Sequence, residues 1–291
     1  DPFTMTTTTA STDTPATETA TPQSEGLKWW HEVLLAGVFY FVYSQVRNFF
    51  GAGPESRVIA LGHARDVIKI ENSLHLWIEP RLQSWYLGLP SHGFIKVWNV
   101  YYGTAHFIVT VGVLVAAYRL APASYRFIRT TLAGMTALAL IGFASFTLMP
   151  PRLLGVDSPY GACLGQGADC HGYGVVDTID VWGGLWKFGE GGMAAVSNQY
   201  AAMPSLHIGW STWCAVSMVL VIGSGWKRYL WFLYPATTFF CILVTGNHYW
   251  LDAFFGIVAL AGGTLIALGF ERLRRDRLAR RQTAAPAPAA T

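Results

Sequence analysis

"PSLHIGWSTWCAVSMVLVIG", Pro204–Gly223, decides the fold. From Leu206 to Gly223 it holds no Asp, Glu, Lys or Arg. An apolar helix of about 20 residues spans the hydrocarbon of a bilayer. Five more apolar runs flank it: Val33–Phe50, Gly103–Ala117, Leu132–Met149, Tyr229–Thr245 and Ala253–Phe270. The second is short, and Phe94 to Tyr102 extend it. The chain is 52% hydrophobic and only 13% charged, about half the usual charged fraction. Packing all six runs inside a soluble core is the competing reading, and so few charges would leave such a core without a polar coat. The expectation is therefore an all-α polytopic membrane protein with six transmembrane helices.

The ends have a different composition. Residues 1–26 are Thr, Ala, Ser and Pro without apolar period, which predicts a disordered tail. Its first residues, "DPFT" before Met5, read as a cloning scar. No basic segment leads into a short apolar run with a small-residue cleavage site, so the first span is expected to be retained. The membrane domain should cover residues 27–271. Residues 272–291 form a tail, first basic ("RLRRDRLARR") and then Ala- and Pro-rich.

Lys and Arg in short loops favour the cytoplasm. With the N-terminus inside, the inner segments hold Lys28, then Arg119, Arg126 and Arg129, then Lys227 and Arg228, then the arginines from Arg272 to Arg281. The other eight basic residues, from Arg47 to Lys187, fall in the outer segments, which include two much longer loops, Gly51–Gly93 and Pro151–Met203. Both termini are thus expected in the cytoplasm, with the protein in the plasma membrane. This topology places His207 at the outer end of the fourth span. His248 and Asp252, in "GNHYWLDAFFG", open the sixth span on the same side. Arg152 follows the third span there too. Residues far apart in sequence converge on one extracytoplasmic face.

The chemistry of that cluster is specific. His248 and Asp252 are four apart and share a helix face. A carboxylate there holds one imidazole nitrogen as N–H and leaves the other free to attack, as in a catalytic triad. His207 could act as acid or base, a role worth about 10²–10⁴ in rate. Ser205 and Asn247 offer polar groups beside the two histidines. Arg152 can fork onto phosphate oxygens, and a helix N-terminus favours anions. Each residue alone reads more simply, as a solvated interfacial histidine or a first-turn charge. Their convergence favours phosphoryl transfer without a metal. A zinc site is the rival, but His63, His75, His92 and His171 do not fall at zinc-ligand spacings.

At these residues the sequence resembles the type 2 phosphatidic acid phosphatase superfamily. "PSLH" (Pro204–His207) is similar to the family's Pro-Ser-Gly-His, and "HYWLD" (His248–Asp252) to the His-x-x-x-Asp closing its third motif. The resemblance runs from about Tyr40 to Phe270. It implies that His248 is the nucleophile, Asp252 its orienting group and His207 the proton donor to the leaving group. Two family cations are displaced. The first motif, Lys, six residues, then Arg-Pro, is replaced by "LMPPRLLG", and the Ser-Arg of the third by Cys241 and Ile242. That pattern resembles the branch with fungal inositol phosphorylceramide synthase and the sphingomyelin synthases, and actinobacterial membrane proteins of this group. It implies transfer of a phospho group to a lipid or sugar hydroxyl. Phosphatase action on water, or a non-enzymatic lipid transporter or scaffold, are the alternatives.

Further expectations complete the picture. Arg47 either replaces a lost cation or snorkels to the interface. Lys96 sits similarly on the second span. Asn99, Tyr102 and His106 follow it at helical spacing, a polar stripe that either holds helices together or lines the site; its end near the same outer face favours lining. Gly51–Gly93 should form one or two helices in the interface, with apolar residues at Leu61, Ala64, Ile68, Leu74 and Ile78. Pro151–Met203 should cap the site. Cys163 and Cys170 in that loop should form a disulfide, and Cys214 and Cys241 should be packing residues. The substrate should be a membrane lipid, with no cofactor, metal or nucleic acid. The basic tail suits anionic lipid of the inner leaflet.

Overall fold

The computed structural model describes residues 28–49, 54–156, 163, 172–185 and 198–283. The chain divides into Asp1–Phe39 and Tyr40–Thr291. Helix α1, Trp29–Phe49, carries Glu32 in its first turn and Arg47 in its last, charges that suit the helix dipole. The others are α2 (Pro54–Ser73), α3 (Glu79–Leu87), α4 (Ile95–Leu120), α5 (Pro122–Ser145), α6 (Thr178–Trp182), α7 (Leu206–Ile222), α8 (Leu233–Val244) and α9 (Trp250–Thr283). Short 3₁₀ turns lie at Pro90–Phe94, Pro151–Leu154 and Trp226–Phe232. Among the described residues there is no strand, only a bridge between Leu148 and Ala201. The protein is all-α.

Among the described residues three helical segments are long and apolar enough to cross a membrane: Pro90–Leu120, Pro122–Ser145 and Trp250–Thr283. They correspond to the second, third and sixth expected spans. Their apolar faces are open, with Ile108 and Val111 of α4 and Phe254, Ile257 and Leu265 of α9 exposed. Contiguous exposed apolar surface of this kind needs a lipid or protein neighbour. The other three expected spans look different from their sequence runs. His31, Glu32, Gln45 and Arg47 dilute α1. The fourth run holds the 17-residue α7, ended at Gly223 with positive φ. The fifth breaks into a 3₁₀ turn and the 12-residue α8. α5 starts well before Leu132, because Pro122 opens it at a first-turn position, where proline costs nothing. α9 does not stop at Phe270, and the arginines to Arg281 continue the helix, exposed to solvent.

The segment expected outside, Gly51–Gly93, holds two helices, α2 and α3. α2 buries Ala60, Leu61, Ala64, Val67 and Ile68 against Leu148, Met149, Leu153, Leu154, Tyr200 and Tyr249. Leu74 is exposed and Ile78 only half-buried, because the helix ends at Ser73. On the opposite face, Asp66 and Lys69 pair in solvent at 3.1 Å, a contact worth little.

Small residues bring the core helices close. α9 packs along α5 and across α7. A Cβ on Gly263 would lie 2.5 Å from the Met135 nitrogen of α5, and one on Gly256 would lie 2.4 Å from the Ser205 carbonyl. Close backbone approach through small residues is how membrane helices gain packing. Here it sets the first turn of α9 beside the start of α7, where the Ser205 N–H donates to the Asp252 carbonyl at 2.9 Å.

Candidate active site

The turn between α8 and α9 builds the centre of the site. Gly246 has φ +66°, a left-handed conformation that favours glycine. It lets the chain reverse, so that the Asn247 N–H reaches the Ile242 carbonyl at 3.0 Å and the Arg152 N–H reaches the Gly246 carbonyl at 2.6 Å. His248 follows, 4% exposed, and Asp252 is fully buried. The Asp252 Oδ2 accepts from the Tyr249 N–H at 3.0 Å and lies 3.2 Å from His248 Nδ1. Its position is therefore fixed by the backbone as well as by the imidazole.

His207, on the first turn of α7, completes a relay. Its Nδ1 lies 3.3 Å from His248 Nε2, and its Nε2 lies 3.2 Å from the Tyr102 carbonyl. The Tyr102 ring stacks on it at 4.1 Å. Hydrogen bonds across these gaps would put one proton on His248 Nδ1 towards Asp252 and one on His207 Nε2 towards the Tyr102 carbonyl, which leaves His248 Nε2 and His207 Nδ1 facing each other, where a third proton can be taken up.

His248 faces a polar cavity of about 40 Å³, lined also by Arg47, Tyr102, Arg152, Asn198, Gln199 and Asn247. Arg152 is buried and fixed from two sides. Its Nη1 donates to Asp177 Oδ2 at 2.6 Å, and its Nη2 donates to Gln199. Asp177 also caps α6, accepting from the N–H groups of Ile179 and Asp180. The Asn198 amide donates to the Arg47 carbonyl at 2.8 Å, and the Asn247 amide donates to Thr245 Oγ1 at 2.8 Å.

Five sequence-picked residues, Arg47, Tyr102, Arg152, Asn247 and His248, therefore line this cavity, with His207 and Asp252 in contact with His248 behind it. His106 stands behind His207, ring centroids 4.4 Å apart, and does not line the cavity. Ser205 is fully buried at the start of α7, away from it. Lys96 is exposed at the start of α4 and does not line it either. Asn99 is structural: it donates to the carbonyls of Thr178 and Gly183, both at 2.8 Å, and so ties α6 to α4. Cys163 is in a disulfide, while Cys214 and Cys241 are buried free thiols. Cys170, His171 and the loop parts 157–162, 164–170 and 186–197 lie outside the described residues, as do 1–27 and 284–291. Among the described residues no group of three or more His, Cys, Asp or Glu side chains is placed to hold a metal ion.

Sequence reasoning missed Asp177, Asn198, Gln199, Glu71 and Glu79. The first three sit in a loop without periodicity, and only the capping pattern at Asp177 marks a local role. The two glutamates read as the polar face of interfacial helices. Instead both are buried, Glu71 accepting from the Leu251 N–H at 2.8 Å and Glu79 from the Trp250 N–H at 2.9 Å. Burial, then the charge of Glu79, pushes the Glu71 carboxyl up to about 9. Burial likewise raises Glu79.

No curated protein and no solved structure matches the chain. A family model does, the PAP2 superfamily, over residues 65–266, a stretch that holds both histidines, the aspartate, Arg152 and the glutamate pair. On that match, which covers well over half of its length, the chain belongs to the PAP2 superfamily of lipid-phosphate phosphatases and phosphotransferases.

Proposed function

We propose that this protein is an integral-membrane lipid phosphotransferase. It cleaves a lipid phosphoester at the outer leaflet through His248 and passes the phospho group to a lipid or sugar hydroxyl. The observation that carries this reading is the Asp252–His248–His207 relay, which opens on a cavity lined by Arg47 and Arg152.

The steps balance on these residues. The substrate phosphate enters the cavity and breaks the contact between the two imidazoles. The His248 Nε2 lone pair attacks phosphorus. The bond to the leaving oxygen breaks, and that oxygen takes the proton from His207 Nδ1. The phosphohistidine keeps its Nδ1 proton and is cationic, which the Asp252 carboxylate offsets. The acceptor hydroxyl then gives its proton to His207 as its oxygen attacks phosphorus, and His248 leaves with its lone pair restored. Arg47 and Arg152 balance charge on the phosphoryl oxygens, with Arg152 preoriented by Asp177 and Gln199. No step uses a metal.

The same reading places six spans across the plasma membrane with both termini in the cytoplasm, so that the cavity faces outward. The exposed arginines of α9, from Arg272 to Arg281, then lie against anionic inner-leaflet lipid.

The experiment is product analysis. Purified protein in mixed micelles is given a panel of lipid phosphates, lipid phosphodiesters and lipid alcohols, with His248→Ala as control. A new phosphodiester without free phosphate is the expected result. Inorganic phosphate alone would replace the reading with a phosphatase. Equal product from His248→Ala would sink the mechanism, and no product from any pair would favour a transporter or scaffold.

A further inference from the structure

The first turn of α9 is held by three carboxylates on three consecutive N–H groups. Tyr249 donates to Asp252 of the same turn, Trp250 to Glu79 of α3, and Leu251 to Glu71 of α2. These N–H groups have no partner within the helix, and His248 immediately precedes them. Glu71 is 1% exposed and Glu79 fully buried. Each spends one oxygen on the helix end, and the second oxygen of each is buried with no donor reaching it. The two carboxyls interact directly, and as two ionised carboxylates they could make no hydrogen bond between them, because neither has a donor. One proton between them satisfies both buried oxygens and leaves one negative charge for the helix dipole.

We propose that Glu71 and Glu79 are positioning residues for His248: one shared proton joins them into a clamp that fixes the first turn of α9, and with it the orientation of the nucleophile. This rests on His248 being the nucleophile. The pair touches neither substrate nor imidazole and acts only through the backbone of Trp250 and Leu251. The groups that face it are Asp252 from α9, Tyr249 from the turn before it, and Tyr173 beside Tyr249. The carboxylate and the tyrosines, if anything ionised, all favour keeping the proton. When alkaline pH removes it, two like charges lie buried together. They push α2 and α3 apart and release the N–H groups they hold. The clamp is therefore intact at neutral pH, where burial keeps Glu71 protonated, and opens as pH rises through about 9.

Glu71→Gln separates clamp from bystander. A glutamine can accept from the Leu251 N–H and donate to the Glu79 carboxylate with no proton to lose. Two readouts are needed on the full chain in detergent micelles. The first is the infrared C=O band of a protonated carboxyl. It should be present in the wild type at pH 7, fade as pH approaches 10, and be absent in Glu71→Gln. The second is binding of orthovanadate, a mimic of the phosphoryl group in flight, followed by tryptophan fluorescence, with His248→Ala as the zero. At pH 7, Glu71→Gln should bind within about threefold of the wild type, and Glu71→Ala at least tenfold more weakly. At pH 9.5, Glu71→Gln should bind at least tenfold more tightly than the wild type. If Glu71→Ala does not fold, the alkaline advantage of Glu71→Gln must still appear. Absence of the band, or identical wild-type and Glu71→Gln binding at both pH values, overturns the proposal. If vanadate binds the wild type and His248→Ala alike, the nucleophile assignment fails instead, and the infrared band still reports on the pair.

Discussion

At the scale of single residues, the site is a line of hydrogen bonds whose order sets the roles. Asp252 contacts only the Nδ1 side of His248, so the Nε2 side is left for attack. His207 contacts that Nε2 and a carbonyl, so its Nδ1 proton is the one that can leave with product. His248→Ala should therefore abolish turnover, and His207→Ala should lower it by about 10²–10⁴, the usual range for a lost general acid. A radiolabelled-lipid assay checks both, and full turnover in either variant would contradict these roles. Arg152 is different, because it binds charge and moves no proton. Charged hydrogen bonds are worth about 1.5–3 kcal/mol, so Arg152→Ala should raise KM by at least tenfold, read from initial rates over a substrate series. The two histidines and the aspartate were legible in sequence from their spacing. Lys96 and Ser205 were chosen on the same grounds and stand elsewhere. Position along a helix tells which end a residue occupies, but not which way its side chain turns.

Among the elements, the decisive feature is how near α9 comes to α5 and α7. Gly263 and Gly256 leave no room for a Cβ. Overpacking of this kind costs about 1–3 kcal/mol, so Gly263→Ala should lower the melting temperature. Gly112→Ala, on an open face of α4, should leave it unchanged or raise it, and a thermal melt in detergent compares the two. A second expectation concerns pH. Glu71 binds its proton more tightly in the folded protein, at about 9, than its ordinary value of 4.5. Its contribution to stability is then complete below that ordinary value and is lost as pH rises to about 9. The melting temperature should fall across this window, and Glu71→Gln should flatten the fall. A wild-type curve that instead rises with pH over the same window would contradict the sign. Nothing in the sequence marked this pair, since each glutamate sits among charged neighbours in α2 or α3. Only the docking of these helices on α9 turns two surface-type residues into buried ones.

For the whole molecule, the apolar faces of α4, α5 and α9 demand a membrane, and the distribution of arginines sets the expected direction. In sealed vesicles of known orientation, protease added outside right-side-out vesicles should spare a tag after Thr291. The same protease should remove it from inverted vesicles. Cleavage in both, or in right-side-out vesicles only, would reverse the topology and move the site to the cytoplasm.

Composition and spacing by themselves determined that the chain is all-α and bound for a membrane, and that two histidines and an aspartate stand at helix starts. Apolar content and residue spacing are local quantities, and both are complete in one dimension. Tertiary structure alone decided that Asp177 and Gln199 fix Arg152, that α7 is short and the fifth run breaks, and that Glu71 and Glu79 close on the turn after His248. Those outcomes depend on which backbones approach within a few ångströms, and that distance is set by packing between helices far apart in sequence.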